Sequence, residues 1–172
     1  MTTQTKVRKI AAEDLFATAN SVWDSGDSKA ALKVFREAAE AGHVSAKNSI
    51  GYFLDHGLGV RKNRTQAMLW YRKAARQGDL SAYSNIAISY RSAGKKRQAR
   101  LWFAKAANRG DGGAAVDLAK LLLETHRKVD RAEALRRLRR AVRSKYISDD
   151  DRGQAAALIK SLEGSRNQHS TQ

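Results

Sequence analysis

The sequence predicts an all-α chain, a right-handed α-solenoid of about four helix-turn-helix repeats plus a C-terminal capping helix. Three observations carry that reading. An apolar face spaced i, i+3, i+4, i+7, i+8 recurs four times, anchored at Ala31, Ala67, Ala99 and Ala134. That spacing lies along one side of a 3.6-residue helix. The anchors are 36, 32 and 35 residues apart, a period that marks stacked two-helix units. The chain also lacks proline and cysteine, as expected of helices joined by short turns with no disulfide framework or thiolate metal site.

Taken in order, residues 1–10 are polar, basic and without periodicity, and are expected to be a flexible tail. A first helix is expected over residues 11–25, with Leu15, Thr18, Ala19 and Val22 facing inward. Gly26 stops it, and Asp27 or Ser28 caps the next helix. That helix carries Ala31, Val34, Phe35, Ala38 and Ala39, then ends at Gly42, where a residue without Cβ enters the left-handed cap at little cost. The central pair carries Ala67, Trp70, Tyr71, Ala74 and Ala75, closed by Gly78. The third pair, over residues 80–93 and 95–109, carries Ala99, Trp102, Phe103, Ala106 and Ala107, closed by Gly110. The fourth, over residues 113–125 and 130–144, is weaker: Arg137 stands at the aromatic position and no glycine follows. Ser148 to Asp151 has capping-box spacing and opens a last helix whose Leu158, Ile159 and Leu162 would lid the final repeat. The repeat domain is therefore expected over residues 11–163, with a polar tail at 164–172. Trp70 is expected in the core, so that Trp70→Ala costs roughly 3–5 kcal/mol.

Ala46, Ile50-Gly51, Gly57-Leu58-Gly59-Val60, Ala67, Trp70-Tyr71, Ala74-Ala75 and Gly78 together resemble a complete Sel-one-like (Sel1-like) repeat. That family is related to the tetratricopeptide repeats. Leu54 departs from its usual second aromatic, and Asn63 from its usual loop aspartate, although both residue types at 63 cap helices. The resemblance covers roughly residues 11 to 145. It implies adaptor or scaffold work, and in bacteria also specificity factors and immunity proteins that block toxins.

Charge is unevenly placed. Residues 61–109 hold thirteen Lys/Arg and one acid, Asp79, a net of +12 of the chain's +16, whereas residues 1–60 are neutral. Such an excess calls for an acidic partner or a solubility role. No basic-flanked apolar leader and no apolar run near 18 residues is present, so no membrane span is expected, and a cytoplasmic monomer is the default.

Catalytic patterns are missing. His43, His56, His126 and His169 lack ligand spacing, and His43 and His56 read as residues at helix ends. Gly57-Leu58-Gly59 follows no strand and precedes no Gly-Lys-Ser/Thr, so it reads as a connector, not a phosphate cradle. Asp149-Asp150-Asp151 lacks the spaced ligands of a calcium loop. No enzyme activity, metal or cofactor is expected.

Candidate binding residues follow from the tetratricopeptide register, in which the first helices line the concave face. Phe16, Asn20, Trp23, Asn48, Tyr52, Asp55, Ser84, Ile88 and Arg91 then line a mixed groove with an apolar thread, the kind of surface that receives a peptide or a folded partner element. The second helices carry a basic ladder on the opposite side, including Arg72, Lys73 and Lys105. Arg72, Lys73, Arg91, Arg100 and Lys105 are the candidate steering charges for an acidic protein, with Trp23 and Tyr52 as anchors. Nucleic acid is the alternative partner, favoured by the dense Arg131-to-Lys145 segment. Against it, no recognition module and no exposed aromatic accompany those basic residues.

Overall fold

The computed structural model describes residues 3–167. Nine helices are present among them: α1 (Thr3–Asp24), α2 (Ser28–Ala41), α3 (Val44–His56), α4 (Arg64–Arg76), α5 (Leu80–Ser92), α6 (Lys96–Asn108), α7 (Gly112–Leu123), α8 (Lys128–Ala141) and α9 (Asp149–Asn167). The described residues hold no strand, only an isolated bridge between Asp111 and Tyr146. The class is an all-α helical-repeat solenoid. The chain forms two compact units that divide between Ser89 and Tyr90, inside α5.

One turn chemistry recurs at three junctions. Gly42, Gly78 and Gly110 all have positive φ. Gly42 donates to Ala39 O and His43 to Ala38 O; Gly78 donates to Ala75 O and Asp79 to Ala74 O; Gly110 donates to Ala107 O and Asp111 to Ala106 O. This is the paired 5→2 and 6→1 pattern of a Schellman cap. The residue after each glycine then caps the next helix with its side chain. His43 accepts from Ala46 N at 3.2 Å, Asp79 from Ala82 N at 2.8 Å and Asp111 from Ala114 N at 2.8 Å. A single residue thus closes one helix with its N–H and opens the next with its side chain.

In the first unit, Phe35 and Phe53 are fully buried and meet edge-on at 5.3 Å. Phe16 joins them at 5.7 Å from Phe35, and Trp23 at 5.4 Å from Phe53. The rings tie α1, α2 and α3 in the tilted geometries that aromatic quadrupoles prefer. Tyr71 from α4 is also buried. Burial, then the nearby charge of Asp55, pushes its phenol well above the ordinary tyrosine value. Its ring packs against α3 where Gly51 has no side chain: a Cβ there would sit 2.6 Å from Tyr71 Cδ1. The connector before α4 is equally tight. Gly59 has φ +63, and a Cβ would fall 2.6 Å from the backbone N of Lys29. Only glycine suits both demands. Asn63 caps α4 through Gln66 N at 3.0 Å.

In the second unit, Phe103, Val116 and Leu138 are fully buried, with Leu118, Leu121 and Leu122 beside them. α8 ends without a left-handed glycine. Its last carbonyls are closed by the N–H groups of Val142, Arg143 and Ser144, which donate to Leu138 O, Arg140 O and Ala141 O, and Arg152 from α9 holds the turn beyond, donating to Val142 O and, at 3.4 Å, to Ser144 O. α9 begins as expected: Asp151 N donates to Ser148 Oγ at 3.1 Å, and that hydroxyl donates to Asp151 Oδ2 at 2.7 Å.

Several expectations need correction. α1 starts at Thr3, so residues 3–10 are helical, not a loose tail. Arg8 anchors that extension by donating to Glu40 O at 3.2 Å. Residues 164–167 continue α9. Residues 1–2 and 168–172, expected as parts of the tails, lie outside the described residues. Thr18 is exposed, its hydroxyl turned back to Asp14 O at 2.8 Å, and Ala12 takes the inward place. Trp70 and Trp102 are half-buried. The following residues, Tyr71 and Phe103, fill the core, because the helix turns by 100° per residue and only one of two adjacent side chains can point fully inward.

Two stability predictions follow from this packing. Gly51→Ala should destabilise the protein by about 1–3 kcal/mol through overpacking against Tyr71, measured by urea denaturation. Phe103→Ala should cost roughly 3–5 kcal/mol, while Trp70→Ala should cost distinctly less, in place of the full core penalty expected above. Equal costs for the two would contradict the half-buried placement of Trp70.

Candidate partner-binding site

The groove residues of the first unit fall into two groups. Asn20, Asn48 and Asp55 are engaged within the fold. The Asn20 amide donates to Phe16 O at 2.9 Å. Asn85 donates to Asn48 at 2.9 Å, and Ser89 to Asp55 at 2.9 Å, so α3 and α5 are cross-linked by polar rungs. Asp55 also pairs with Arg64 at 3.5 Å. Such rungs set helix spacing and leave fewer free acceptors for a partner. Ser84 is half-buried beside them on α5.

The aromatic residues divide as well. Phe16 is half-buried and partly covered within the fold. Its ring stacks on His43 at 4.0 Å and only 15° from parallel, because α1 leans its inner face on the α2–α3 junction. His43 is itself more than the solvated turn residue expected from its position. Its Nδ1 accepts the α3 cap bond and its Nε2 lies 3.1 Å from Glu13, an arrangement that fits the Nε2–H tautomer. Trp23 and Tyr52 are brought together, 6.0 Å apart, with His56 in tilted contact 4.1 Å from Tyr52. Trp23 remains 37% exposed, as does Ile88. Trp23, Tyr52 and Ile88 are therefore what remains available of the apolar thread in the first unit.

The candidate steering charges also separate. Arg91 pairs with Asp117 at 2.8 Å and lies 5.2 Å from the Phe103 ring centre. Arg100 lies 3.5 Å from Asp130. Both are consumed in part by internal contacts. Lys73 and Lys105 are exposed, each over the indole at the preceding repeat position: Lys73 is 4.4 Å from Trp70 and Lys105 is 4.3 Å from Trp102. A cation over a ring is held in place but keeps its charge at the surface. Arg72 is half-buried beside Lys73.

Asp130 is the one buried acid among the described residues, 5% exposed. The Thr125 hydroxyl, then the Arg127 guanidinium, hold its carboxyl below the usual aspartate value, against the opposing effect of burial. No group of three or more His, Cys, Asp and Glu among the described residues could hold a metal ion. No helix among them is long and apolar enough to cross a membrane.

A protein-family model, the Sel1 repeat, matches residues 44–79 and 92–111. The chain carries Sel1 repeats over these two stretches. The matched stretches include the Gly51–Tyr71 contact, the Gly59 connector and the third junction. Among solved structures, the chain is similar to a Sel1 repeat protein from Oxalobacter formigenes, at 28% identity and a TM-score of 0.67. It is also similar to c5321, described as a protective antigen of uropathogenic Escherichia coli strains with this repeat fold, at 23% identity and a TM-score of 0.71. The alignments cover 79% and 88% of this chain but only 60% and 38% of those relatives. BtubC from P. vanneervenii shares the fold at 14% identity and a TM-score of 0.58, over 96% of this chain and 83% of that one.

The pairing of Asp130 generates a pH prediction. A depressed carboxyl value in the folded state contributes stability that is present above the unfolded aspartate value of about 3.9 and is lost as pH falls through the folded value. Wild type should lose more stability than Asp130→Asn between neutral pH and about pH 3, read from urea midpoints. Parallel losses in the two proteins would rule out this role.

Proposed function

We propose that this Sel1-like repeat chain is a non-catalytic protein-binding module whose partner is an acidic protein. Sel1 repeat folds generally mediate protein–protein interaction. The observation that carries the finer reading is the charge of residues 61–109, thirteen basic residues against Asp79. That lone acid is itself committed to capping α5 through Ala82 N. Arg64, Arg91, Lys96 and Arg100 find acids outside the stretch, while Lys73 and Lys105 keep their charge at the surface over tryptophan rings. Solubility alone would be served as well by mixed signs. A one-sign surface steers an oppositely charged protein and raises its association rate. Trp23 and Tyr52 supply an exposed aromatic contact of the kind that slows dissociation.

The test begins with affinity purification from the native host at two salt concentrations, with and without nuclease. A retained acidic protein that survives nuclease is the expected result; loss of all retained material on nuclease treatment would favour the nucleic-acid alternative. With the partner in hand, Lys73→Glu together with Lys105→Glu should lower its association rate at low salt by about tenfold or more, with the gap closing as salt rises. Trp23→Ala should act mainly on dissociation. An unchanged association rate in the folded double variant would leave the basic surface with a solubility role only.

A further inference from the structure

The fourth repeat departs from the second and third at a tryptophan–lysine pair, and a cavity lies beside the altered positions. In the second and third repeats, a tryptophan stands three residues after the anchoring alanine and a lysine six residues after it, and the lysine lies over the indole. In the fourth repeat both positions are arginines, Arg137 and Arg140. Arg137 does not take the place of the ring. It turns toward Glu133 at 2.7 Å and Asn108 at 2.6 Å. Arg140 is left with no ring beneath it, and neither it nor Arg143 has an ion-pair partner among the described residues. Between the α6–α7 turn, the start of α7 and the end of α8 lies a cavity of about 200 Å³.

Its walls are chemically divided. Ala107, Ala115 and Ala141 give an apolar floor, while Arg137, Arg140 and Arg143 stand around it. The acid in the lining is Asp111, whose carboxylate already accepts the α7 cap bond from Ala114 N. Glu133, which holds Arg137, is shared with Arg136. The local balance is therefore strongly positive, with Arg140 and Arg143, neither in an ion pair among the described residues, lining the same cavity.

We infer that this cavity receives an acidic side chain of the partner protein, its carboxylate gripped by Arg140 and Arg143 and its methylene stem on the alanine floor. This rests on the proposed acidic partner and names where it is anchored. Size supports a single side chain: cavities for whole small-molecule ligands usually run from about 300 to 1,000 Å³. Guanidinium favours carboxylate through paired, charge-assisted bonds. A phosphate on a nucleic-acid backbone has no apolar stem for the floor and is held at the surface instead.

The test uses a fluorescein-labelled peptide of ten glutamates and fluorescence anisotropy at low salt, with duplex DNA carrying the same label as the comparison. Wild type should bind the peptide. The double variant R140Q/R143Q should weaken it by at least about tenfold, while K33Q/R36Q, which removes the same charge from α2, should weaken it by no more than roughly threefold. R137W restores the residue of the sister repeats and should weaken the peptide as much as R140Q/R143Q does. If R137W fails to fold by circular dichroism, the two double variants decide. Three outcomes overturn the inference: no peptide binding by wild type, equal losses in the two double variants, or a loss in R140Q/R143Q that is larger for DNA than for the peptide. The purified partner separates this inference from the reading beneath it. An acidic partner retained undiminished by R140Q/R143Q removes the cavity but leaves the proposed function standing; a partner that is not acidic removes the proposed function itself.

Discussion

The structure depends on the residue that follows the closing glycine at three junctions, Gly42, Gly78 and Gly110. His43, Asp79 and Asp111 use the backbone N–H to close one helix and the side chain to open the next. A turn that satisfies both sets of orphan groups with one residue leaves little freedom in the direction of the following helix. The alanine pairs just before the glycines matter for the same reason. Ala38-Ala39, Ala74-Ala75 and Ala106-Ala107 are buried, and small side chains there let the next helix approach its predecessor closely. Larger residues would hold the helices apart even with the hydrogen bonds intact.

Much of this was legible in the sequence, because caps and small-residue faces are local. The recurrence of Ala, aromatic and Ala-Ala, each closed by glycine, marks both the helices and their ends. Asp27, Asn63 and Ser148 announce helix starts by side-chain chemistry alone. Periodicity could not choose between two adjacent aromatics. Trp70-Tyr71 and Trp102-Phe103 both fit the apolar stripe, and only packing decides that the second of each pair is buried. The extension of α1 to Thr3 escaped for another reason: its anchor, Arg8 to Glu40 O, joins residues 32 apart and leaves no mark on local composition.

The binding residues were less legible than the fold. Position on a helix face says that Asn48 and Asp55 point out of the second helix pair, but not that Asn85 and Ser89 already hold them. Likewise Phe16 looks free in a helical projection, yet His43 covers it. Arg137 was visible as a lapse from the repeat pattern. Its meaning needed three dimensions, since only the fold shows that Arg137, Arg140 and Arg143 line one cavity.

The end of α8 carries a consequence for how the chain comes apart. At the three glycine junctions, each helix is closed by its own chain within a few residues. At α8 the chain closes itself as well, but the turn that follows is held by Arg152, ten residues beyond Val142 and already inside α9. Local opening of α9 therefore exposes the carbonyls of Val142 and Ser144 to water at once, whereas opening of α7 leaves the α6 turn able to close on itself through Gly110. Cooperativity in a stacked-repeat protein is set by how much one element's stability is lent by its neighbour. By that measure the turn after α8 and the start of α9 behave as one exchange unit, and the amide protons of Arg143 and Ser144 should share the opening free energy of α9.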